Sequence, residues 1–158
     1  MKSPTISVII STYNQPEWLR KTLLGYQYQT FDSFEIVIAD DGSDDRTKTI
    51  IEQFQTQTPL QIIHVWHEDQ GFQKTTILNK AILASNSDYL IFTDGDCIPR
   101  NDFVAVHYQK RAPNSFLSGG YFKLPKTISD LITESDIEAQ TCFDPKWLLY
   151  LGLKKTFK

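Results

Sequence analysis

The stretch ISVIIST, Ile6–Thr12, is rich in β-branched residues and is apolar along nearly its whole length. A strand that is buried on both faces has this composition, and such strands occur mainly in parallel sheets. Three further stretches share the pattern: FEIVIAD at Phe34–Asp40, QIIHVW at 61–66 and DYLIFTD at 88–94. The four stretches predict four buried strands of one sheet.

Helical periodicity separates the predicted strands. Apolar residues recur at intervals of three or four within residues 19–26, 47–54 and 77–84. Alternation of strands and helices at this spacing predicts an α/β fold with a mainly parallel sheet and helices on both faces. Beyond Pro99 the pattern predicts a helix at 102–111, a strand at 116–122 that contains two glycines, and a helix at 128–140.

The composition is that of a single globular domain, with 158 residues of which 41% are hydrophobic and 22% charged. A net charge of −3 lacks the basic footprint of a nucleic-acid-binding protein. Two cysteines are too few for a disulfide framework and fit a reducing compartment. The sequence shows neither a signal-peptide pattern nor an apolar run near the ~20 residues of a membrane span. We therefore expect a cytoplasmic protein with no nucleic-acid partner.

Polar residues follow each predicted strand, in the order STYN, ADDGS, HEDQGF and TDGD. The carboxyl ends of parallel strands meet at one edge of a sheet, where α/β proteins bind their ligands. Three of these ends carry acidic clusters, whereas the opposite ends carry mostly turn residues. Carboxylate oxygens gathered in this way predict a site for a divalent cation, which would neutralise an anionic ligand such as a diphosphate.

Asp94 and Asp96 lie two residues apart at the end of the last predicted strand. Two carboxylates about 4 Å apart repel by roughly 1 kcal/mol in water and about 4 kcal/mol near a protein surface. A folded protein tolerates such a pair where both groups are solvated or where a cation lies between them. The alternative is a polar turn, because Asp and Gly are ordinary turn residues.

Two other kinds of acidic site fit less well. Residues 41–52 have the spacing of an EF-hand calcium loop, but Arg46 stands where the sharp turn requires glycine. In a phospho-acceptor receiver domain the paired acids would follow the first strand, and here that strand ends in STYN. Both alternatives are therefore discounted.

The stretches SVIISTYNQPEWL, EIVIADDGSDD, HEDQGFQKTTILNKAI and YLIFTDGDCIPRNDFV resemble, in order and spacing, the family-two inverting glycosyltransferases, which have the GT-A fold. The resemblance covers roughly the first 125 residues and includes bacterial enzymes of cell-surface polysaccharide synthesis and the chondroitin-polymerase-like branch. It implies a nucleotide-sugar-binding domain at 1–125. It also implies that 126–158 is a helical C-terminal segment, an incomplete acceptor region of a longer enzyme.

The resemblance implies a role for three residues at the nucleotide base. Ser11 and Tyr13 would line the base pocket, with the ring of Tyr13 against a uracil. Asp41 would accept a hydrogen bond from the pyrimidine N3–H, which an ionised carboxylate is suited to do.

The resemblance also implies how the diphosphate is held. Asp96 would coordinate Mn²⁺ or Mg²⁺, and Asp94 would face the ribose or take part in the metal site. Relatives often have arginine where Gln73 stands, so the positive charge near the phosphates would come from Lys74.

The implied reaction moves a sugar from a UDP-sugar to a hydroxyl of a glycan or lipid-linked acceptor, with inversion. Its general base should follow the Gly-Gly strand, but the pattern that marks it in the family is missing, which leaves Glu134, Asp136 and Glu138 as candidates. One alternative is a donor-binding fragment without transfer activity. Another is a nucleotidyltransferase, which would carry a glycine-rich signature where this chain has STYNQPEW.

Several other residues near the strand ends carry predictions of their own. Asp40 should order the turn that follows its strand, and Gly42 should adopt a backbone angle that other residues avoid. His64 should be packed within a strand, whereas His67, Glu68 and Asp69 are candidates for the site.

The C-terminal stretch WLLYLGLKKTFK, residues 147–158, combines apolar and aromatic residues with a basic end. One interpretation is an interfacial helix that contacts anionic lipid at the inner face of the membrane. The other, which we favour, is a core helix or a partner surface.

Overall fold

A computed structural model describes residues 4–156, with side chains described as far as residue 150. Its sheet has four parallel strands in the order β3-β2-β1-β4. The strands are β1 (Ile6–Thr12), β2 (Phe34–Asp40), β3 (Ile62–Trp66) and β4 (Leu90–Asp94). The predicted strands and their parallel arrangement are confirmed.

Three helices connect the strands, and shorter helices follow them. The connecting helices are α1 (Pro16–Gln27), α2 (Asp45–Gln57) and α3 (Lys74–Ala84). They are followed by α4 (Phe103–Lys110), α5 (Lys126–Ser129), α6 (Glu134–Glu138), a 3₁₀ turn (Thr141–Phe143) and α7 (Pro145–Thr156). Within the described residues, no helix is both long enough and apolar enough to cross a bilayer.

The alternation of side chains along each strand divides the core between the two faces of the sheet. In β1, Ile6, Val8 and Ile10 belong to the larger core cluster, which α1, α2, α4 and α6 cover. Ile9 lies on the opposite face, in a smaller cluster with Ile77 of α3. Helices therefore lie on both faces, as the sequence predicts.

The strand predicted at 116–122 is wrong. The segment has no regular structure, and Phe116, Tyr121 and Phe122 are exposed. Aromatic residues favour strands because of the neighbours they pack against, and Gly119 and Gly120 supply no side chain for that packing. Without a paired strand and a covered face, the local preference is not realised.

The single helix predicted at 128–140 is also wrong, because two short helices occupy the segment. Thr133 interrupts it with a capping box at the start of α6. Its hydroxyl accepts from the Asp136 N–H (3.3 Å), and the Asp136 carboxylate accepts from the Thr133 N–H (2.9 Å). These side-chain bonds satisfy backbone groups that a continuous helix would have paired internally.

Glu35 is fully buried at the amino-terminal end of β2, opposite the strand ends that carry the acidic clusters. One carboxylate oxygen accepts from Ser7 Oγ and from the Asn86 N–H, both at 2.6 Å. The other accepts from Asn86 Nδ2 at 2.9 Å and from Gln61 Nε2 at 3.4 Å. The carboxylate thereby links β1 and β2 to the segments that lead into β3 and β4.

We predict that Glu35→Gln lowers the free energy of unfolding by roughly 1–3 kcal/mol, because its amide NH₂ would face donors in a buried place. Urea denaturation followed by circular dichroism measures the change. Glu52→Gln is the matched control, since Glu52 is exposed on α2 and lies 3.9 Å from Lys48. A loss for Glu35→Gln no larger than that of the control would show that the buried bonds contribute little.

Candidate functional site at the carboxyl edge of the sheet

Backbone hydrogen bonds extend the parallel pairing past the end of β1. The Asp41 N–H donates to the Thr12 carbonyl at 3.0 Å, and the Gly95 N–H donates to the Ser11 carbonyl at 2.8 Å. These two bonds hold the segments that follow β2 and β4 on either side of β1. The polar strand ends are therefore fixed side by side at one edge of the sheet.

A cavity of about 340 Å³ opens at this edge. Ala39 and Ile77 contribute apolar surface, and the highly exposed Phe72 also lines it. The six residues predicted to bind donor or metal all line it: Ser11, Tyr13, Asp41, Lys74, Asp94 and Asp96. The structure thus brings together side chains from four separate parts of the sequence.

Asp94 is the carboxylate of the cavity that pairs with a lysine. Its Oδ1 accepts from Lys74 Nζ at 2.6 Å and from Ser11 Oγ at 2.7 Å. The Lys74 hydrogen bond, and then that of Ser11, hold the pKa of Asp94 below its usual value. Lys74 is therefore the positive charge at this end of the cavity.

Asp96 is exposed and contacts the Cys97 thiol, whose Sγ donates to Oδ1 at 3.6 Å. Burial, and then the charge of Asp96, raise the pKa of Cys97, so the thiol stays protonated near neutral pH. Among the described residues, no three His, Cys, Asp or Glu side chains are grouped to hold a metal ion. Asp94 and Asp96 nevertheless offer the hard oxygen donors that Mg²⁺ and Mn²⁺ prefer. Two carboxylates would supply only part of the coordination shell of such a cation, and water and phosphate oxygens would supply the rest.

Asp41 follows β2, on the opposite side of β1 from Asp94, and is buried. Its Oδ1 is 2.7 Å from His67 Nε2, and its Oδ2 accepts from the Gln73 N–H at 3.0 Å. Gln73 therefore reaches the site through its backbone, while its side chain bonds to Gln70. His67, named by the sequence only as a candidate, is part of the site through Asp41.

Tyr13 is half-exposed on the cavity wall, where Asp69 holds it. The phenol OH donates to Asp69 Oδ2 at 2.8 Å, and Asp69 Oδ1 accepts from the Gly71 N–H at 3.0 Å. The hydrogen bond to Asp69 raises the pKa of Tyr13. The Gly71 N–H, followed by the phenol, lowers the pKa of Asp69. The tyrosine ring is thus positioned by a carboxylate that does not itself line the cavity.

The turn after β2 is ordered by Asp40, as the sequence predicts. Its carboxylate accepts from the Ser43 N–H at 2.9 Å and is 2.9 Å from His64 Nε2. Gly42 has φ +93°, and a Cβ there would lie 2.6 Å from Asp69 Cα. Both the predicted backbone angle and a close approach of the β3–α3 loop therefore require glycine.

The three acids considered as a general base lie elsewhere. Glu134 forms an ion pair with Arg20 of α1, and Asp136 serves the capping box of α6. Glu138 ends the same short helix. None of the three lines the cavity. These acids were candidates only because they follow the glycine pair in the chain. Order along the chain does not give the distance between a residue and the cavity.

The stretch 147–158 lies largely within α7. Trp147 packs against the larger core cluster, whereas Leu149 and Tyr150 are exposed. Residues 157 and 158 lie outside the described residues. Contact of this stretch with a membrane stays a prediction.

The part of the chain that forms the cavity is similar to known proteins. Residues 7–114 match the family described as Glycosyl transferase family 2. The chain is 38% identical over 102 residues to the uncharacterized glycosyltransferase YfnE of Bacillus subtilis, covering 64% of this chain and 25% of that protein. It is 32% identical over 105 residues to chondroitin synthase of Escherichia coli, covering 66% of this chain and 15% of that protein. The chain therefore spans a quarter or less of these two relatives.

Two solved structures share the fold. One is Staphylococcus aureus TarS 1-349 in complex with UDP-GlcNAc, with a TM-score of 0.56 and 25% identity over 66% of this chain and 30% of that one. The other is the mannosyltransferase PcManGT of Pyrobaculum calidifontis in complex with GDP-Man and Mn²⁺. It has a TM-score of 0.58 and 25% identity, covering 66% of this chain and 31% of that one.

We predict that Lys74→Met raises the pKa of Asp94 toward its ordinary value of about 3.9, and that Ser11→Ala raises it less. Carboxyl ¹³C NMR titration measures both shifts, with Lys48→Met on α2 as the control. Because the folded-state pKa is depressed, Asp94 stabilises the fold above the unfolded-state pKa, and this contribution is lost as the pH falls through the folded-state pKa. An unchanged Asp94 pKa in Lys74→Met would contradict the assigned ion pair.

Proposed function

The chain belongs to glycosyl transferase family 2, and on that premise we propose that its cavity binds a UDP-sugar together with a divalent cation. The sugar is transferred to a hydroxyl of a glycan or lipid-linked acceptor, with inversion, in the synthesis of a cell-surface polysaccharide. The observation that carries the proposal is the single cavity in which Asp41, Lys74, Asp94 and Asp96 meet.

The end of the cavity at Asp41 suits a pyrimidine base. Tyr13 presents a ring that Asp69 holds, which suits it for stacking against a planar base. Asp41 is buried, so an N–H of the base would meet an acceptor largely screened from water. A uracil presents such an N–H at N3, whereas cytosine presents an acceptor at the same position. This difference makes Asp41 a determinant of base selectivity.

The end of the cavity at Asp94 suits a diphosphate. Asp96 and Asp94 would hold Mn²⁺ or Mg²⁺, and the cation when bound supplies Lewis-acid stabilisation of the leaving diphosphate. Lys74 Nζ lies 2.6 Å from Asp94 Oδ1, so its ammonium would add a positive charge beside the phosphates. The complex of PcManGT with Mn²⁺ supports this part of the proposal.

Transfer with inversion requires a base that takes the proton of the acceptor hydroxyl. Glu134, Asp136 and Glu138 do not line the cavity, so we assign this role to none of them.

We also propose that the protein acts in the cytoplasm, at the inner face of the membrane. For residues 147–158 we favour a core helix or a partner surface, because Trp147 packs against the larger core cluster. Peripheral membrane contact through this stretch is the alternative, which the exposed Leu149 and the basic end support.

We predict that UDP binds weakly in EDTA and more tightly in Mn²⁺, and that Asp96→Asn removes the difference. The reason is that Asp96 lines the cavity, is exposed and forms no ion pair within the described residues, so its oxygens are available to a cation. Titration calorimetry with UDP, GDP and dTDP, with and without Mn²⁺, measures the effect and ranks the nucleotides. Asp88→Asn is the control, because Asp88 is an exposed aspartate that precedes β4, at the opposite edge of the sheet from the cavity. Equal UDP affinity in EDTA and Mn²⁺ would contradict the metal role.

We predict that Asp41→Asn weakens UDP binding by roughly 10- to 150-fold, which corresponds to the loss of about 1.5–3 kcal/mol from a hydrogen bond to a charged group. CDP should not weaken, because cytosine has no N3–H to donate. The ratio of UDP to CDP affinity, measured by calorimetry, isolates the base contact from general damage to the site. A parallel loss of both nucleotides would assign Asp41 a structural role only.

A further inference from the structure

His67 is a largely buried imidazole that the proposed reaction leaves without a role. Its side chain is 12% exposed and lies between the cavity residue Asp41 and Lys80 of α3. The Nε2 atom is 2.7 Å from Asp41 Oδ1, and the Nδ1 atom is 3.3 Å from Lys80 Nζ. Both ring nitrogens are therefore engaged, on opposite sides of the ring.

The partners of the ring determine its tautomer. A lysine ammonium has only donors, so a hydrogen bond from Lys80 requires Nδ1 to be an acceptor. The proton of the neutral imidazole must then be on Nε2, where it is donated to Asp41. Lys80 thereby selects the tautomer that Asp41 requires.

The hydrogen bond from His67 determines how Asp41 is presented to the cavity. Asp41 Oδ1 accepts from His67 and Asp41 Oδ2 accepts from the Gln73 N–H at 3.0 Å, so each oxygen has one protein donor. A carboxylate that is held at both oxygens cannot rotate about its last bond. Its remaining lone pairs keep a constant direction, and each oxygen has capacity for another donor.

We propose that His67 is a positioning residue for nucleotide-base recognition, acting through Asp41 and kept in its active tautomer by Lys80. This inference rests on the proposed binding of a UDP-sugar in the cavity. It assigns base selectivity to a chain of three side chains from the segments after β2, after β3 and within α3. Only Asp41 of the three lines the cavity.

Variants of the 158-residue chain separate positioning from packing. His67→Leu removes the donor to Asp41 and retains an apolar side chain, whereas His67→Gln retains an N–H that can reach the carboxylate. Lys80→Met removes the ammonium from an exposed position, with Lys48→Met as the matched lysine control. Thermal unfolding of each variant tests whether it is folded.

Calorimetry with UDP and with CDP gives the ratio of the two affinities for each variant, and this ratio separates a contact to the base from general damage to the site. We expect His67→Leu to weaken UDP binding about tenfold with CDP unchanged, because the loss lies in the contact to the base. His67→Gln should restore most of the UDP affinity, and Lys80→Met should lose part of it. Equal UDP affinity in wild type and His67→Leu, or an equal loss of UDP and CDP, overturns the inference.

The ¹⁵N chemical shifts of the His67 ring test the tautomer without any nucleotide. We expect a protonated Nε2 and an unprotonated Nδ1 in wild type at neutral pH, with Nδ1 changing in Lys80→Met. An Nδ1–H tautomer overturns the inference and leaves the proposed function standing. A wild-type chain that binds no UDP in Mn²⁺ overturns the proposed function, and the inference with it.

Discussion

The structure depends on the burial of β1 on both faces and its parallel pairing on both edges. β4 ends at Asp94, in register with Ser11, and β2 ends at Asp40, in register with Thr12, so both neighbouring strands end beside the last two residues of β1. Since β1 has no free edge or face, its carboxyl end is held between its two neighbours. The loops after the four strands consequently open at one edge of the sheet, and the cavity is a direct result of that geometry.

Charge balance at this edge explains how several acids coexist in a small volume. Asp94 is paired with Lys74, Asp41 accepts from His67 and a backbone N–H, and Asp69 accepts from Tyr13 and a backbone N–H. Asp96 is different, because within the described residues it forms no ion pair and its hydrogen-bond partner is a thiol. The carboxylate with the least internal compensation is thus the one that suits an external cation.

The opposite edge uses a carboxylate for a different purpose. Glu35 is fully buried, yet its partners are neutral donors from Ser7, Gln61 and Asn86. Each oxygen of this buried carboxylate already accepts from two donors, so the group stabilises the sheet. The two edges differ in the environment of their acidic residues and not in the residue type.

The sequence alone determined the strands, the helices between them and the acids that meet at one edge, because burial and periodicity are local properties of the chain. Tertiary structure decided the partners: Asp41 and His67 are 26 residues apart, and Glu35 and Asn86 are 51 apart. It also decided against a strand at 116–122, where aromatic residues found no pairing partner, and it pairs Glu134 with Arg20 away from the cavity. Side-chain pairing and strand pairing are set by distances between segments remote in sequence, and local preference does not contain those distances.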